Sequence, residues 1–310
     1  MRYTIVVGSS TDMNELQDNS VHLIVTSPPY YNAKEYSTNI KDDIGNQESY
    51  SDYLEMMHKV FSECKRVLCD GRYMAINIAD TVIDGYKYAI PADYMFMLIR
   101  NLKLTYIDDI IWSKPEGVQS MKRFGVFIEN PYPLYYYPNN TYEHIIIVRK
   151  GDTSINKELV LEDKVSKSLV PYIKSDIWSM QPQTLDVSHI APFPEELPRR
   201  IIMLYSYKGE VVLDPFAGSG TTGKVARGLR RSCVLYEINP SFIDNIKDRV
   251  GFNQSSLSGD EFNVIEKFKR VNSNIVTCTC GEVGQSNIIG GQEIFKCSKC
   301  GRTKISSIKF

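Results

Sequence analysis

EVVLDPFAGSGTTGKVARGLRRSCVLYEI, residues 210–238, is the stretch from which the fold is read. Its first apolar run, 210–213, has the length of a buried strand. Asp214 to Gly223 (DPFAGSGTTG) is a glycine-bearing turn, Val225 and Leu229 recur at helical spacing, and 232–238 is a second apolar run. Strand, tight loop, helix and strand make a βαβ unit, which implies a mainly parallel sheet with helices on its faces. Gly218 and Gly220 let the backbone pass close to a ligand, because side chains there would block the approach. Glu237 ends the second strand, about 20 residues on, where an acid accepts hydrogen bonds from both hydroxyls of a ribose. A tight turn with no ligand is the plain alternative, and the acid at this offset favours the ligand. An acid, Asp214, starts the loop, so the ligand it suits is a nucleoside with a compact zwitterionic tail rather than a pyrophosphate.

The same alternation runs upstream. MRYTIVVGSS at the start reads as a short strand entering a turn. Val21–Thr26 is an apolar strand that ends at Ser27-Pro28-Pro29-Tyr30, whose proline pair forces an extended, irregular loop. Tyr53, Leu54, Met57, Val60, Phe61, Cys64 and Leu68 predict a helix, with Gly71 as its stop before a strand over 73–79. Pro91, Met95, Leu98 and Ile99 predict another helix, followed by a strand over 104–112. EHIIIVR, 143–149, reads as a buried strand, and Leu197, Ile201, Ile202 and Tyr205 predict a helix that begins near Pro194. Residues 151–175 are polar and weakly periodic, and read as a loop or a small target-recognition insert.

The SPPY loop has a bland reading as a proline-stiffened turn with an aromatic packed over it. Its functional reading is chemical. Ser27 Oγ and the Pro28 carbonyl accept hydrogen bonds from an amino group, while Pro29 stiffens the loop and Tyr30 offers a flat face on which a base stacks. The amine on a nucleobase is a poor nucleophile, since its lone pair is delocalised into the ring. Two acceptors that hold both N–H groups draw the nitrogen toward tetrahedral geometry and aim the lone pair at a sulfonium methyl. That is positioning and electrostatics, since a serine hydroxyl is too weak a base to act alone near neutral pH. A base inside a duplex must be flipped out to reach such a pocket, at a cost of a few kcal/mol that stacking of roughly 1–3 kcal/mol offsets.

At 310 residues, with 43% hydrophobic and 24% charged residues, the chain has room for one large α/β domain and a small appendage. It carries no apolar run of the 18 or more residues a membrane span needs, and its N-terminus lacks the pattern of a signal peptide, so a cytoplasmic location with reduced cysteines is expected. A net charge of −1 gives no global attraction to phosphate, and any nucleic-acid contact must come from local patches. The expected division is a main domain over 1–250 (catalytic half 1–150, possible insert 151–175, cofactor half 176–250), a polar linker over 251–262, and a tail domain over 263–310. In that tail, Cys278-x-Cys280 and Cys297-x-x-Cys300 form two close thiolate pairs, the arrangement of a structural zinc ribbon, although the first pair is one residue shorter than usual. Cys64, Cys69 and Cys233 fall inside predicted elements and read as packing residues. From Lys267 onward, eight basic residues (Lys267, Lys269, Arg270, Lys296, Lys299, Arg302, Lys304, Lys309) face two acids, Glu282 and Glu293, a local basic patch suited to DNA phosphate.

Taken together, TSPPY (26–30), IIWSKP (110–115), HIAPFPEEL (189–197) and DPFAGSGTTG (214–223) resemble the β-class amino-methyltransferases of DNA, often partners of restriction enzymes, over roughly residues 1–250. The resemblance implies a Rossmann-like fold, circularly permuted so that the catalytic half precedes the cofactor half, with S-adenosylmethionine as cofactor and double-stranded DNA as substrate. It implies that Asp214, Phe216, Gly218, Gly220, Thr221 and Thr222 surround the methionine part of the cofactor, with Phe193 and Pro194 on its other side and Glu237 on the ribose. SPPY is the form associated there with N4 of cytosine, and an acid in place of Ser27 with N6 of adenine. Gly8-Ser9-Ser10 departs from the usual Gly-Asp, whose acid contacts the cofactor adenine. Trp112 and Lys114 either line the base pocket or touch phosphate, or serve as a core tryptophan and a solvated lysine. Candidate target-reading segments are 31–49, 116–142 and 151–175. Adenine-N6 methylation, an RNA or protein methyltransferase, and a DNA-binding module without catalysis are the competing readings.

Overall fold

Alternating apolar segments become strands, and the helices between them cover the two faces of one sheet. The structure, a computed structural model, describes residues 1–32, 43–83, 86–115, 140–153, 163, 165, 167–182, 193–252, 259–267, 275–277, 283–285, 287–289, 292–297, 299–300 and 303–307. In chain order, the first unit holds β1 (Arg2–Val7), β2 (Val21–Thr26), α1 (Tyr50–Val67), β3 (Leu68–Ile78), a small hairpin of β4 (Thr81–Ile83) and β5 (Tyr86–Tyr88), α2 (Ile90–Phe96), β6 (Thr105–Ser113) and β7 (Tyr142–Arg149). The short helix α3 (Val170–Ile173) and β8 (Ile177–Ser179) follow. Then come α4 (Glu196–Tyr205), β9 (Val211–Asp214), α5 (Thr221–Gly228), β10 (Ser232–Glu237), α6 (Ile243–Val250) and β11 (Glu261–Glu266).

These strands form a nine-stranded sheet in the order β11-β1-β10-β9-β2-β3-β7-β6-β8, in which β7 alone runs against its neighbours. Side chains alternate between faces. Val6, Ile24, Met74, Ile76, Ile146 and Val148 pack on one side with Met57, Val60 and Phe61 of α1 and Tyr94 of α2. On the other side, Ile5, Leu23, Val25, Ala75, Ile145 and Ile147 meet Leu197 and Ile201 of α4, Val225 of α5 and Ile246 of α6. Strands covered on both faces read as unbroken apolar runs, which is why β2 and β7 are plain in the sequence. Cys64 and Cys233 are fully buried and serve as packing residues; burial pushes both thiols well above their ordinary range.

Three expectations change. Gly71 does not stop α1. The helix ends at Val67, capped by the Leu68 N–H on Cys64 O, and the chain enters β3 at once. Gly71 lies inside β3 at φ +77°, where the pairing with β2 jumps from Val21↔Leu68 to Leu23↔Tyr73, so it is a bulge glycine. A helix was missed: α6 starts behind the Asn239 cap and ends at Gly251, left-handed at φ +84°. The boundary also moves. Residues 261–266 pair along β1 as the edge strand β11, so the first unit runs from Met1 to Lys267 and the second from Phe268 to Phe310.

Taken by itself, the second unit is built of short antiparallel strands: β12 (Ile275–Thr277) with β13 (Val283–Gln285), and β14 (Asn287–Ile289), β15 (Gln292–Lys296) and β16 (Thr303–Ser307) as a three-stranded sheet. Cys297 follows β15 directly and is buried, while Cys300 is exposed. Cys278 and Cys280 lie outside the described residues, and among the described residues no group of three or more donors is placed to hold a metal ion. No described helix is long and apolar enough to cross a membrane.

Candidate active site

Strand order brings the two loops together. β2 lies beside β9, with Leu23 opposite Val212 and Ile24 opposite Leu213, so SPPY and DPFAGSGTTG leave neighbouring carboxyl ends. Thr26, the last residue of β2, donates its hydroxyl to Asp214 Oδ1 at 2.8 Å, a direct bond between residues 188 apart in the chain.

Asp214 is 1% exposed and accepts three hydrogen bonds. Besides Thr26, it accepts from Thr222 Oγ1 at 2.6 Å and from the Phe216 N–H at 3.0 Å, which folds the loop back over its own strand. Burial raises its carboxyl to about 6 against the pull of these three donors. Gly218 and Gly220 take left-handed φ of +51° and +81°, as the turn into α5 requires. A methyl group at Gly218 would meet nothing within 4 Å, so open space lies before this glycine. At Gly220 it would press on Ile246 of α6 at 3.2 Å, and at Gly223 on Leu235 Cδ1 at 2.5 Å and Val250 at 2.9 Å. The sequence reading gave Gly223 no part. It completes G-x-G-x-x-G with Gly218 and Gly220, and its task is to let α5 lie close on β10.

Glu237 ends β10 and accepts one backbone N–H on each oxygen, Gly218 N on Oε2 and Asn239 N on Oε1, both at 2.8 Å. Each oxygen keeps acceptor capacity for a hydroxyl. Burial raises its carboxyl to about 7, and the nearby charges of Asp214 and Asp43 push the same way. Open space at Gly218 and an acid with spare acceptors fit the nucleoside with a compact zwitterionic tail that the sequence suggested. Phe193 is half-buried against the core and Pro194 is buried at the head of α4, capping Leu197 N with its carbonyl at 3.0 Å. Beside them is a network the sequence did not disclose: Glu195 pairs with Lys224 at 2.6 Å and Arg249 at 3.3 Å, and Arg249 donates to Ser219 Oγ at 2.6 Å. Thr221 and Thr222 are buried in the first turn of α5.

The SPPY loop is held from below by tyrosines. Tyr53 donates to the Pro29 carbonyl at 3.0 Å and shares a 2.5 Å hydrogen bond with Tyr94, while Tyr31, Tyr50 and Tyr88 pack around it. Ser27 is half-buried, and its hydroxyl has no hydrogen-bond partner among the described residues. Tyr30 donates to Glu143 Oε2 at 2.9 Å. Glu143, buried at the head of β7, also takes Asn77 Nδ2 on Oε2 and Lys114 Nζ on Oε1, each at 2.6 Å. Lys114 thus resolves as the partner of a buried acid, and its ammonium also lies 5.2 Å from the Trp112 ring centroid. Trp112 is buried, donating to Met180 O at 2.9 Å. Among the described residues Asn77 Oδ1 is buried without a partner, a state that costs roughly 1–3 kcal/mol.

At the far edge of the site, Lys267 is anchored on the turn that carries Gly8-Ser9-Ser10. Its ammonium donates to Ser9 O at 3.1 Å and to Asp12 O, pairs with Glu15 at 3.2 Å and lies over Tyr236. A methyl group on Gly8 would stand 2.7 Å from Lys267 Cβ. Lys267 therefore belongs to this loop and leaves the basic patch assigned to the tail. Of the three candidate target-reading segments, most of 116–142 and much of 31–49 and 151–175 lie outside the described residues.

Residues 21–248 match the model of the N6/N4 family described as DNA methylase. The chain is 31% identical over 296 residues to the Type II methyltransferase M.MjaI of Methanocaldococcus jannaschii, covering 84% of this chain and 95% of that protein. It is 28% identical to the Type II methyltransferase M.Cfr9I of Citrobacter freundii, covering 82% and 86%. Among solved structures it is similar to a proposed DNA modification methylase of Thermus thermophilus complexed with S-adenosyl-L-methionine, with TM-score 0.64, 26% identity and coverage of 85% and 99%. The cytosine-N4-specific PvuII DNA methyltransferase shares the fold, with TM-score 0.60, 18% identity and coverage of 82% and 90%.

Proposed function

From the premise that this chain belongs to the N6/N4 DNA methylase family, we propose that it methylates N4 of a cytosine held outside the DNA duplex, with S-adenosylmethionine as methyl donor. The observation that carries this is the Thr26–Asp214 bond, which ties the SPPY loop to the glycine loop at one sheet edge. S-adenosylmethionine, when bound, supplies a methyl group on a sulfonium sulfur. Asp214, Phe216, Gly218, Gly220, Thr221 and Thr222 would hold its methionine part, with Phe193 and Pro194 opposite, and Glu237 would take its ribose. The order of the two loops along the chain is that of a circularly permuted methyltransferase.

The chain's own residues do the rest by placement. Tyr30 gives the extruded base a stacking face, fixed in plane by its bond to Glu143. Ser27 Oγ and the Pro28 carbonyl take the two amine hydrogens, which localises the lone pair on nitrogen. That nitrogen takes the methyl group as the carbon–sulfur bond breaks, with the bonding pair left on sulfur, and then sheds one proton to water; no covalent intermediate with a cysteine is required. A serine rather than an acid at position 27 supports cytosine over adenine. Type II relatives support a role beside a restriction endonuclease.

The test is incubation with unmethylated DNA and S-adenosylmethionine, digestion to nucleosides and mass spectrometry. N4-methylcytosine is expected, with turnover falling about 100-fold or more in Ser27→Ala and 10- to 100-fold in Tyr30→Ala, while cofactor affinity holds. N6-methyladenine would keep the enzyme class and overturn the reading of Ser27. No methylated base would overturn the activity. For the second unit we infer a structural zinc on Cys278, Cys280, Cys297 and Cys300, in a ribbon whose basic residues bind DNA phosphate. Two paired cysteine sets and short antiparallel strands support it. Elemental analysis of the intact chain should return about one zinc per molecule, and its absence would sink the proposal.

A further inference from the structure

The buried cluster around Glu143 does more than hold Tyr30. Glu143 is a carboxylate that accepts only, so the nitrogen end of Asn77 must face it, and the 2.6 Å bond fixes the amide in that sense. Asn77 Oδ1 therefore points away from Glu143 as an acceptor with nothing to accept. Its position follows from the register. Val25 pairs with Ala75 and Thr26, the last residue of β2, with Ile76, so Ser27 and Asn77 are the next residues of the two chains at the carboxyl end of this pair. Asn77 is 2% exposed and its Oδ1 is closed to water, so the oxygen gains a donor only when an entering base displaces the groups that cover it.

We propose that Asn77 Oδ1 is a specificity-determining acceptor for the exocyclic amine of the target base, and that Glu143 is the positioning residue that keeps the amide turned toward it. Lys114 completes the arrangement: its ammonium occupies Glu143 Oε1 and leaves Oε2 to Tyr30 and Asn77. One carboxylate thereby sets both the stacking face and an edge contact for the same base. A base carrying an oxygen where cytosine has its amine would set acceptor against acceptor at Asn77 and be refused. This inference rests on the reading of cytosine N4 as the methylated atom.

The test compares affinities of the full chain, with cofactor present, for two DNA duplexes. One carries cytosine at the methylated site, mapped beforehand with the unmodified protein. The other carries pyrimidin-2-one, the same ring without the amine. The unmodified protein should prefer cytosine by about 10-fold. Asn77→Leu should bring that preference to about 1–2-fold with cofactor affinity unchanged, and Asn77→Thr serves should the leucine variant fail to fold. Glu143→Gln, whose amide lets Asn77 turn over, should fall between. A merely structural role would weaken both duplexes alike and leave the ratio intact. An unchanged ratio in Asn77→Leu and Asn77→Thr, with Ser27→Ala reducing it, would overturn the role of Asn77 while the activity stands. If the product is not N4-methylcytosine, the activity reading falls first and this inference with it.

Discussion

The glycine loop and the SPPY loop leave adjacent strands, yet they are finished to different degrees. Around the first, Asp214 accepts from Thr26, Thr222 and Phe216, Glu237 holds two backbone N–H groups, and Arg249 ties Ser219 to Glu195. Around the second, Ser27 has no partner among the described residues and Asn77 Oδ1 is orphaned, while only the supporting side chains, Tyr30, Tyr53 and Glu143, are tied down. A self-satisfied loop needs no ligand to keep its shape. A loop with unmet acceptors keeps its shape through neighbours and holds its remaining bonding capacity for a donor that arrives.

The largest test of this contrast is Asp214→Ala. It strands two hydroxyls and an N–H in a buried site and should cost roughly 3–5 kcal/mol in thermal or denaturant unfolding. Ser27→Ala, by comparison, should leave stability within about 0.5 kcal/mol. Equal losses would erase the distinction between the loops.

Within the glycine loop, Gly223→Ala and Gly218→Ala separate packing from ligand space. The first drives a methyl group into Leu235 and Val250 and should cost about 1–3 kcal/mol of stability, while cofactor affinity measured by calorimetry is kept. The second should cost only about 1–2 kcal/mol for its left-handed backbone, and should also weaken cofactor binding by about 10-fold or more, because its methyl group enters the open space. A reversed pattern would move the cofactor away from Gly218.

A smaller effect comes with pH. Burial holds Asp214 near 6 and Glu237 near 7, above the ordinary range of about 4. Both bind protons more tightly when folded. Their contribution to stability is therefore complete below about pH 4 and is lost as pH rises through about 6 to 7. The ammonium of a zwitterionic tail and the ribose hydroxyls favour the ionised acids, so cofactor binding should release protons near pH 6.5 and strengthen toward pH 8. Calorimetry in two buffers of different ionisation heat reads that release; binding without it would place the two acids outside the contact.

Much of this was legible from one strand of text. Val21–Thr26, the run at the head of β7, and the unit from β9 to β10 are apolar stretches of strand length, and Asp214, Gly218 and Glu237 fall at offsets that a nucleoside-binding turn imposes. Gly71 misled because a glycine after a helical pattern signals a stop as readily as a bulge, and only strand pairing tells the two apart. β11 follows a Ser/Gly-rich stretch and is largely exposed as an edge strand, so it lacks the apolar run that betrays the inner strands. Nor could Glu143 be found: in the sequence it is one acid ahead of HIIIVR, with nothing to connect it to position 30, 77 or 114.

Local pattern by itself determined the elements, the two functional loops and the acids within them, since periodicity, turn chemistry and short offsets are properties of neighbouring residues. Tertiary structure alone decided which strands lie side by side. The order β9-β2-β3-β7-β6, with β7 reversed, brings Glu143 among donors from three other segments and leaves Asn77 Oδ1 without a partner among the described residues. Such partnerships depend on which long-range pairing buries the most apolar surface, and that is a property of the whole chain.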